Sequence, residues 1–281
     1  GGAGRDSLRL DDSDGDDAVV VRPGRTVAGV PQMALTTMTN SSGDYMLEAA
    51  GFELVFANAR GSGYDTAEIH DTDAPDKFKA EGDTAFLRGG AYFTRARGYE
   101  QVVAISSGDG DLAVLEGTAT PDIFLGSSDE SRLYSERQGV RLYDYTARAF
   151  EEVRAFGRGG IDRASLFDSE GDDIFRGMKQ KAEMARMDGT GPTVAAWVFE
   201  HVSAFSQNGG TDTARLFDTP GGDVFEGEAD WGQLSATDPS FRRVVSILAF
   251  ERVRVYLTSG GPDTRTIRGV EYGLDFIFPT G

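Results

Sequence analysis

The sequence predicts an all-β fold, a right-handed parallel β-helix (β-solenoid) with about 25 residues in each rung, from three observations. Aromatic residues recur about every 25 positions along most of the 281 residues, as in chains that stack repeated turns on one another. Apolar and polar residues alternate in short runs between these aromatics, which is typical of half-buried strands. Gly, Asp and Pro separate the runs and indicate turns.

The recurring aromatic residues supply the predicted core, and we call them the aromatic ladder. One ring from each rung is expected to face inward, and contacts between rings add roughly 0.5–1.5 kcal/mol per pair to the free energy of burial. The ladder consists of Phe52, Phe78, Tyr99, Phe124, Phe150, Phe175, Phe199, Phe225, Phe250 and Phe276.

The repeat is clearer at twice this length, about 50 residues. One half opens with an aromatic residue and Glu, as at 150–153 and 199–202, and the other opens with Asp-x-Phe, as at 173–175. If the strand alternates, the aromatic residue points inward and Glu points outward, which predicts a solvated acidic stripe. The stripe consists of Glu53, Glu100, Glu151, Glu200 and Glu251. A β-propeller with one blade per double repeat and an array of β-sandwiches remain alternatives.

Residues 178–187 are the one segment in which a helix competes with a strand. The corresponding segment of the next repeat, 230–236, contains Trp231, Gly232 and Ser235, which a helix does not favour. We therefore expect strands in both segments.

We expect a single β-helix repeat domain over residues 1–281. Residues 1–51 form degenerate N-terminal rungs, 52–268 form the regular rungs, and the apolar segment 269–281 caps the last rung. The chain begins without Met, so we expect it to be a section of a larger polypeptide.

Composition excludes several classes of function. The net charge is −18, which argues against nucleic acid and anionic membrane as partners, because phosphate binding needs clustered Lys and Arg. No run of apolar residues is long enough to form a transmembrane segment. The absence of Cys removes disulfides and thiolate chemistry. A cysteine-free, Asp-rich chain favours a secreted or cell-surface protein.

The Asp-rich turns are the candidate metal sites. Segments 166–175 and 216–225 share a frame in which Asp and Gly lie between two apolar anchors nine residues apart. This frame partly resembles the Ca²⁺-binding nonapeptide of the repeat-in-toxin family, which implies carboxylate and carbonyl ligands for Ca²⁺. The family's two leading Gly and its tandem arrangement are missing, so only the idea of Asp ligands carries over. The predicted ligands are Asp71, Asp76, Asp168, Asp172, Asp173, Asp218 and Asp223. The alternative is that these Asp residues only cap backbone amides in tight turns.

We identify no catalytic residues, and the expected function is structural or adhesive. The expected partners are an extracellular polysaccharide or copies of the chain itself, in an end-to-end oligomer. The alternative is an enzyme acting on polysaccharide, a lyase or glycoside hydrolase, since the fold would resemble that of pectate lyases. A carbohydrate-binding module is a further alternative, with Trp197, Trp231, Tyr134 and Tyr143 as stacking platforms.

Overall fold

A computed structural model describes residues 4–27, 30–108, 110–238 and 242–279, and every regular element in it is a strand. No helix suited to crossing a membrane occurs in these ranges. The strands are β1 (Ser7–Asp11), β2 (Asp17–Arg22), β3 (Arg25–Val27), β4 (Val30–Gln32), β5 (Leu35–Asn40), β6 (Met46–Ala50), β7 (Leu54–Asn58), β8 (Thr66–His70), β9 (Lys77–Glu81), β10 (Thr84–Gly89), β11 (Tyr92–Arg97), β12 (Gln101–Ile105), β13 (Leu112–Glu116), β14 (Asp122–Gly126), β15 (Glu130–Arg137), β16 (Val140–Arg148), β17 (Glu152–Phe156), β18 (Arg163–Phe167), β19 (Asp173–Gly177), β20 (Lys181–Arg186), β21 (Thr193–Trp197), β22 (His201–Phe205), β23 (Thr213–Phe217), β24 (Asp223–Ala229), β25 (Trp231–Ala236), β26 (Val244–Leu248), β27 (Arg252–Tyr256), β28 (Thr264–Val270) and β29 (Gly273–Ile277).

The chain divides into two compact units. Unit 1 comprises residues 1–118 and 129–154, and unit 2 comprises 119–128 and 155–281. We predicted a single domain over residues 1–281, with N-terminal rungs and a C-terminal cap. The division into two compact units does not test that prediction. The last two residues of the predicted cap lie outside the described residues.

Unit 1 contains two main sheets. In one, the strand order is β1-β7-β11-β10-β9-β13, and in the other it is β15-β16-β12-β8-β2-β5-β6. Strands β7 and β11, β9 and β13, and β8 and β12 pair in parallel. Strands β9, β10 and β11 form an antiparallel meander. Strands β3 and β4 form a separate two-stranded sheet.

Unit 2 repeats this plan. Its sheets have the orders β21-β20-β19-β23-β27-β29 and β28-β24-β25-β26-β22-β18-β14. Strands β19–β21 and β24–β26 are meanders, and their first strands pair in parallel with β23 and β28. The segments 178–187 and 230–236 contain β20 and β25, so the predicted strands are confirmed there.

The structural repeat is therefore a group of five strands, and it matches the period of about 50 residues. Three strands form a meander in one sheet, one strand lies in the other sheet, and the fifth returns to pair in parallel with the first. The all-β class and the parallel pairing agree with the prediction. The antiparallel meanders differ from the predicted stack of parallel rungs, because their tight turns hold consecutive strands in the same sheet.

Eight of the ten residues of the aromatic ladder are buried in the core, whereas Phe52 and Phe276 are half-buried, and the rings pair differently from the prediction. Phe124, Phe175 and Phe225 are fully buried. Phe124 contacts Phe199 with ring centroids 6.0 Å apart, and Phe175 contacts Phe250 at 6.2 Å. In both pairs the second ring is the third ladder residue after the first. A simple stack of rungs would instead pair consecutive ladder residues, but here the meander strands lie between them.

The residue before several ladder aromatics has a left-handed backbone. The φ angles are +75° at Gly51, +86° at Gly98, +58° at Ala149, +61° at Val198 and +65° at Ala249. At each of these positions the backbone N–H donates to a carbonyl oxygen of an earlier turn or strand end, for example from Val198 to Gln180 at 2.8 Å. Gly adopts this conformation without strain, whereas a β-branched residue such as Val does not.

Candidate metal centre

Several Asp-rich turns are closed by a carboxylate that accepts hydrogen bonds from a Ser or Thr shortly before it. Thr72 donates to Oδ2 of Asp76 from its backbone N–H at 2.9 Å and from Oγ1 at 2.6 Å. A short hydroxyl side chain and an Asp four residues later form such turns because the carboxylate satisfies amides that no strand pairs. The same contacts join Ser13 to Asp17, Ser169 to Asp173 and Thr219 to Asp223.

The closing Asp residues are linked from strand to strand by a relay of hydrogen bonds. The backbone N–H of Asp76 donates to Oδ1 of Asp111 at 2.7 Å, and the N–H of Asp111 donates to Oε2 of Glu151 at 2.7 Å. The relay recurs as Asp17–Asp65–Glu100, Asp122–Asp162–Glu200 and Asp173–Asp212–Glu251.

The acidic stripe is therefore structural rather than simply solvated. Glu53 also accepts a backbone N–H, that of Asp6, at 2.8 Å. The outward position of these Glu side chains was predicted, but their bonding was not. A Glu next to the start of one strand reaches the backbone N–H just before the neighbouring strand, which the strand pairing leaves without a partner.

Two relays gather a third Asp and form clusters of three carboxylates. Asp71, Asp76 and Asp111 are all buried, and one oxygen from each lies within 4.8 Å of the others. A second cluster, Asp12, Asp17 and Asp65, also lies in unit 1 and satisfies the same distance limit. Oxygen ligands of Ca²⁺ lie about 2.3–2.6 Å from the ion, so two of them stand at most about 5 Å apart. Both clusters meet this limit.

Burial and mutual repulsion disfavour the ionised state of these carboxyls. Burial, with a smaller contribution from the neighbouring Asp111 carboxyl, raises the pKa of Asp71 to about 7. Burial also raises the pKa of Asp76, and it raises the pKa of Asp65 to about 6. No Lys or Arg among the described residues forms an ion pair with Asp71, Asp76 or Asp111. A proton or a bound cation is thus needed to neutralise the cluster.

Asp76 has one further property that matters for a cation. Its Oδ1 is buried and has no hydrogen-bond partner. Gly89 packs directly against this oxygen, since a Cβ atom at position 89 would lie 1.3 Å from it. A buried carboxylate oxygen without a partner is costly unless something coordinates it.

The other predicted ligands are placed as acceptors for backbone amides. Asp168 accepts the N–H of Asn208 at 2.8 Å, and Asp172 accepts the N–H of Thr211 at 2.8 Å. Asp218 accepts the N–H of Ser259 at 2.8 Å. Together with Asp173 and Asp223, they belong to no three-carboxylate group in the part of the chain that the structure describes.

The predicted ligands Asp71 and Asp76 thus share a cluster, whereas its third member Asp111, and the other cluster of Asp12, Asp17 and Asp65, were not predicted. A signal was present: two Asp residues five positions apart are followed 35–48 positions later by the Asp that closes a Gly-rich turn. This spacing predicts a cluster only when the two turns are known to be neighbours, and the strand pairing decides which turns are neighbours.

Comparison of the chain with protein-family models, with curated proteins and with solved structures finds no match.

Proposed function

We propose that the chain is a Ca²⁺-stabilised repeat region of a structural or adhesive protein that acts outside the cell. The observation that carries this proposal is the buried cluster of Asp71, Asp76 and Asp111, three carboxylates within 4.8 Å of one another. Ca²⁺ prefers oxygen ligands and accepts irregular geometry. A bound ion would offset the repulsion between the carboxylates and give the unpartnered Oδ1 of Asp76 a ligand role.

The fold we propose is a β-solenoid of the right-handed parallel β-helix type, decorated with meanders. Parallel pairing between strands 35–48 residues apart supports it, for example Leu112 opposite Lys77 and Ala18 opposite Thr66. The Asp and Gly content of the turns supports a relationship in chemistry to repeat-in-toxin turns, in which carboxylates and loop carbonyls share the ion.

We propose secretion or display at the cell surface because the proposed Ca²⁺ sites suit the Ca²⁺ concentration outside the cell. Clusters with only three carboxylates suit weak sites, with dissociation constants of roughly 10⁻⁴–10⁻³ M, which is the range of extracellular Ca²⁺ modules. The net charge of −18 also keeps such a protein soluble and apart from other anionic polymers. Extracellular polysaccharide and further copies of the chain are the partners we propose.

End-to-end association is supported by one edge strand. Strand β28 pairs with β24 on one side and stands at the end of its sheet. Nearly all of its residues are exposed. An edge of this kind offers unpaired N–H and C=O groups to a strand of another chain.

The test compares two substitutions at equivalent positions. Asp111 and Asp212 each accept one relay N–H at Oδ1, from Asp76 and Asp173, and one Ser hydroxyl at Oδ2, at 2.6 Å in both cases. Only Asp111 belongs to a three-carboxylate cluster among the described residues. Asp111→Asn therefore alters these hydrogen bonds and also removes a proposed metal ligand. Asp212→Asn alters the equivalent hydrogen bonds but removes no proposed metal ligand.

Thermal unfolding and calorimetric titration with Ca²⁺ are the measurements. We expect Ca²⁺ to raise the Tm of the chelator-treated wild type, because the ion binds the folded state. Asp111→Asn should remove one binding event and part of that rise, and Asp212→Asn should retain both. An unchanged Tm and no heat of binding in the wild type would refute the calcium proposal and leave the turns as amide caps.

A further inference from the structure

The outer face of one sheet of unit 2 carries a shallow open pocket between β24, β25 and β28. Its lining residues are Glu226, Gly227, Glu228, Trp231, Thr266 and Arg268. The strand register makes them direct neighbours: Glu228 lies opposite Trp231 on one side and opposite Arg268 on the other. The pocket shares no residue with the acidic relay.

Trp231 lines this pocket without an aromatic or cationic partner among the described residues. Other aromatic side chains on the outer faces of unit 2 stack on each other, as Phe217 and Tyr256 do with centroids 4.5 Å apart. Trp197 lies between Phe156, at 6.1 Å, and the Lys181 ammonium, at 5.2 Å. No ring or cation of the described residues covers Trp231 in this way. Trp231 is half-buried and lines the open pocket, so its side chain can contact a ligand bound there.

The backbone of Trp231 is held in place from the inner side of the sheet. The Tyr272 hydroxyl donates to the carbonyl oxygen of Trp231 at 3.0 Å. Gly227 leaves room for that hydroxyl, since a Cβ atom there would lie 2.7 Å from it. Trp231 therefore lies on a hydrogen-bonded strand, which positions a binding residue more precisely than a loop does.

The charged side chains around the ring are also free to bind. Glu226, Glu228 and Arg268 are exposed and form no hydrogen bond or ion pair with the other described residues. Carboxylates accept hydrogen bonds from hydroxyl groups, and the guanidinium donates several in a fixed plane. An aromatic platform with a few polar groups of both kinds matches the faces of a pyranose ring, which are apolar C–H surfaces rimmed by hydroxyls.

We propose that Trp231, Glu226, Glu228 and Arg268 form a binding site for neutral polysaccharide. The sum of the side-chain charges at the site is −1, from two Glu and one Arg, on a chain of net charge −18. This balance disfavours uronic acids, sulfated sugars and nucleic acid. The site identifies a ligand class for the matrix contact in the proposed function and rests on that part of it, but it does not depend on Ca²⁺.

Fluorescence gives a direct test because the chain has two tryptophans. Trp197→Phe keeps a ring in the Phe156 stack, and the Trp197 Nε1–H that it removes has no partner. Trp231 is then the sole tryptophan. We expect cellohexaose or chitohexaose to produce a saturable change in its emission and to protect it from iodide quenching. Polygalacturonate should do neither.

Matched variants locate the binding. In the Trp197→Phe background, Glu228→Gln should weaken the affinity for the active hexasaccharide by about tenfold. Glu170→Gln, at an exposed turn of the same unit, should leave it unchanged. Emission that iodide does not quench, or no response to either neutral hexasaccharide at millimolar concentration, would overturn the proposal. Repeating the titration in Ca²⁺ and in chelator separates this result from that of the calcium test.

Discussion

The backbone N–H of Asp111 donates a 2.7 Å hydrogen bond to Oε2 of Glu151. Asp111 stands directly before β13, and Glu151 stands directly before β17. The Glu side chain thus satisfies the amide immediately before the neighbouring strand, a group that the parallel ladder leaves without a partner. The same bond joins Asp65 to Glu100, Asp162 to Glu200 and Asp212 to Glu251. A row of acidic residues on the surface therefore fixes where the strands begin.

Replacing Glu151 should show what this bond contributes. Glu151→Ala leaves the buried N–H of Asp111 unsatisfied, which costs about 1–3 kcal/mol of the free energy of unfolding. Glu151→Gln keeps a carbonyl oxygen at the same position, so most of that loss should be avoided. Urea denaturation of both variants measures the difference. Equal stabilities for the Ala and Gln variants would show that the hydrogen bond is not what position 151 provides.

The aromatic ladder should dominate the stability of unit 2. Phe175 and Phe225 are fully buried, and truncation of a buried Phe costs about 3–5 kcal/mol because a cavity remains. We expect Phe175→Ala and Phe225→Ala to lose this much in denaturant unfolding. Phe278 is 52% exposed, so Phe278→Ala is the control and should lose far less. A loss below about 1 kcal/mol at position 175 would contradict the packing described.

The ladder and the strands could be predicted because both follow from local periodicity. The meanders could not, since period-2 alternation is the same in parallel and antiparallel strands. The turn between β19 and β20 is closed by a 2.8 Å bond from the N–H of Met178 to the carbonyl of Lys181. Its central residues, Lys179 and Gln180, lack the Asn-Gly or Asp-Gly signature of a hairpin. The acidic relay was missed for a related reason, because it joins residues whose proximity depends on strand order.

Val198 occupies a position for which its side chain is poorly suited. Its φ angle is +61°, and equivalent positions before ladder aromatics carry Gly51 and Gly98. The left-handed conformation costs roughly 1–2 kcal/mol for a residue with a Cβ atom, and β-branching adds to it. Val198 is 51% exposed, so its replacement removes little packing. Val198→Gly should raise the free energy of unfolding despite the greater entropy of Gly in the unfolded chain.

Ala249→Gly provides the comparison for that prediction. Ala249 has a similar φ angle of +65° but lacks β-branching, so the gain and the entropic loss should nearly cancel. Thermal unfolding should therefore rank Val198→Gly above the wild type and place Ala249→Gly close to it. A lower Tm for Val198→Gly would show that the Val side chain packs more favourably than its exposure suggests.

Asp162 differs from Asp111 and Asp212 in the relay by having one buried oxygen without a hydrogen-bond partner. Its Oδ1 accepts the N–H of Asp122 at 2.9 Å, while its Oδ2 is buried without a partner. At Asp111 and Asp212, Ser hydroxyls donate to Oδ2 at 2.6 Å. Gly157 stands where such a Ser would be, since a Cβ atom there would lie 2.5 Å from the Asp162 Oδ2.

The stability contributed by Asp162 should therefore fall as pH rises. Burial first, and then the charges of Asp122 and Glu200, raise the pKa of Asp162 from 3.8 to about 7. Between these values the unfolded chain has lost the proton that the folded chain retains, so the free energy of unfolding declines with pH, and the loss is complete above about 7. Asp162→Asn keeps Oδ1 as an acceptor and never ionises. In urea titrations in the presence of chelator, it should flatten the decline between pH 4 and about 7, while Glu170→Gln should follow the wild type. A slope unchanged by Asp162→Asn would mean that Asp162 is ionised in the folded chain across this range.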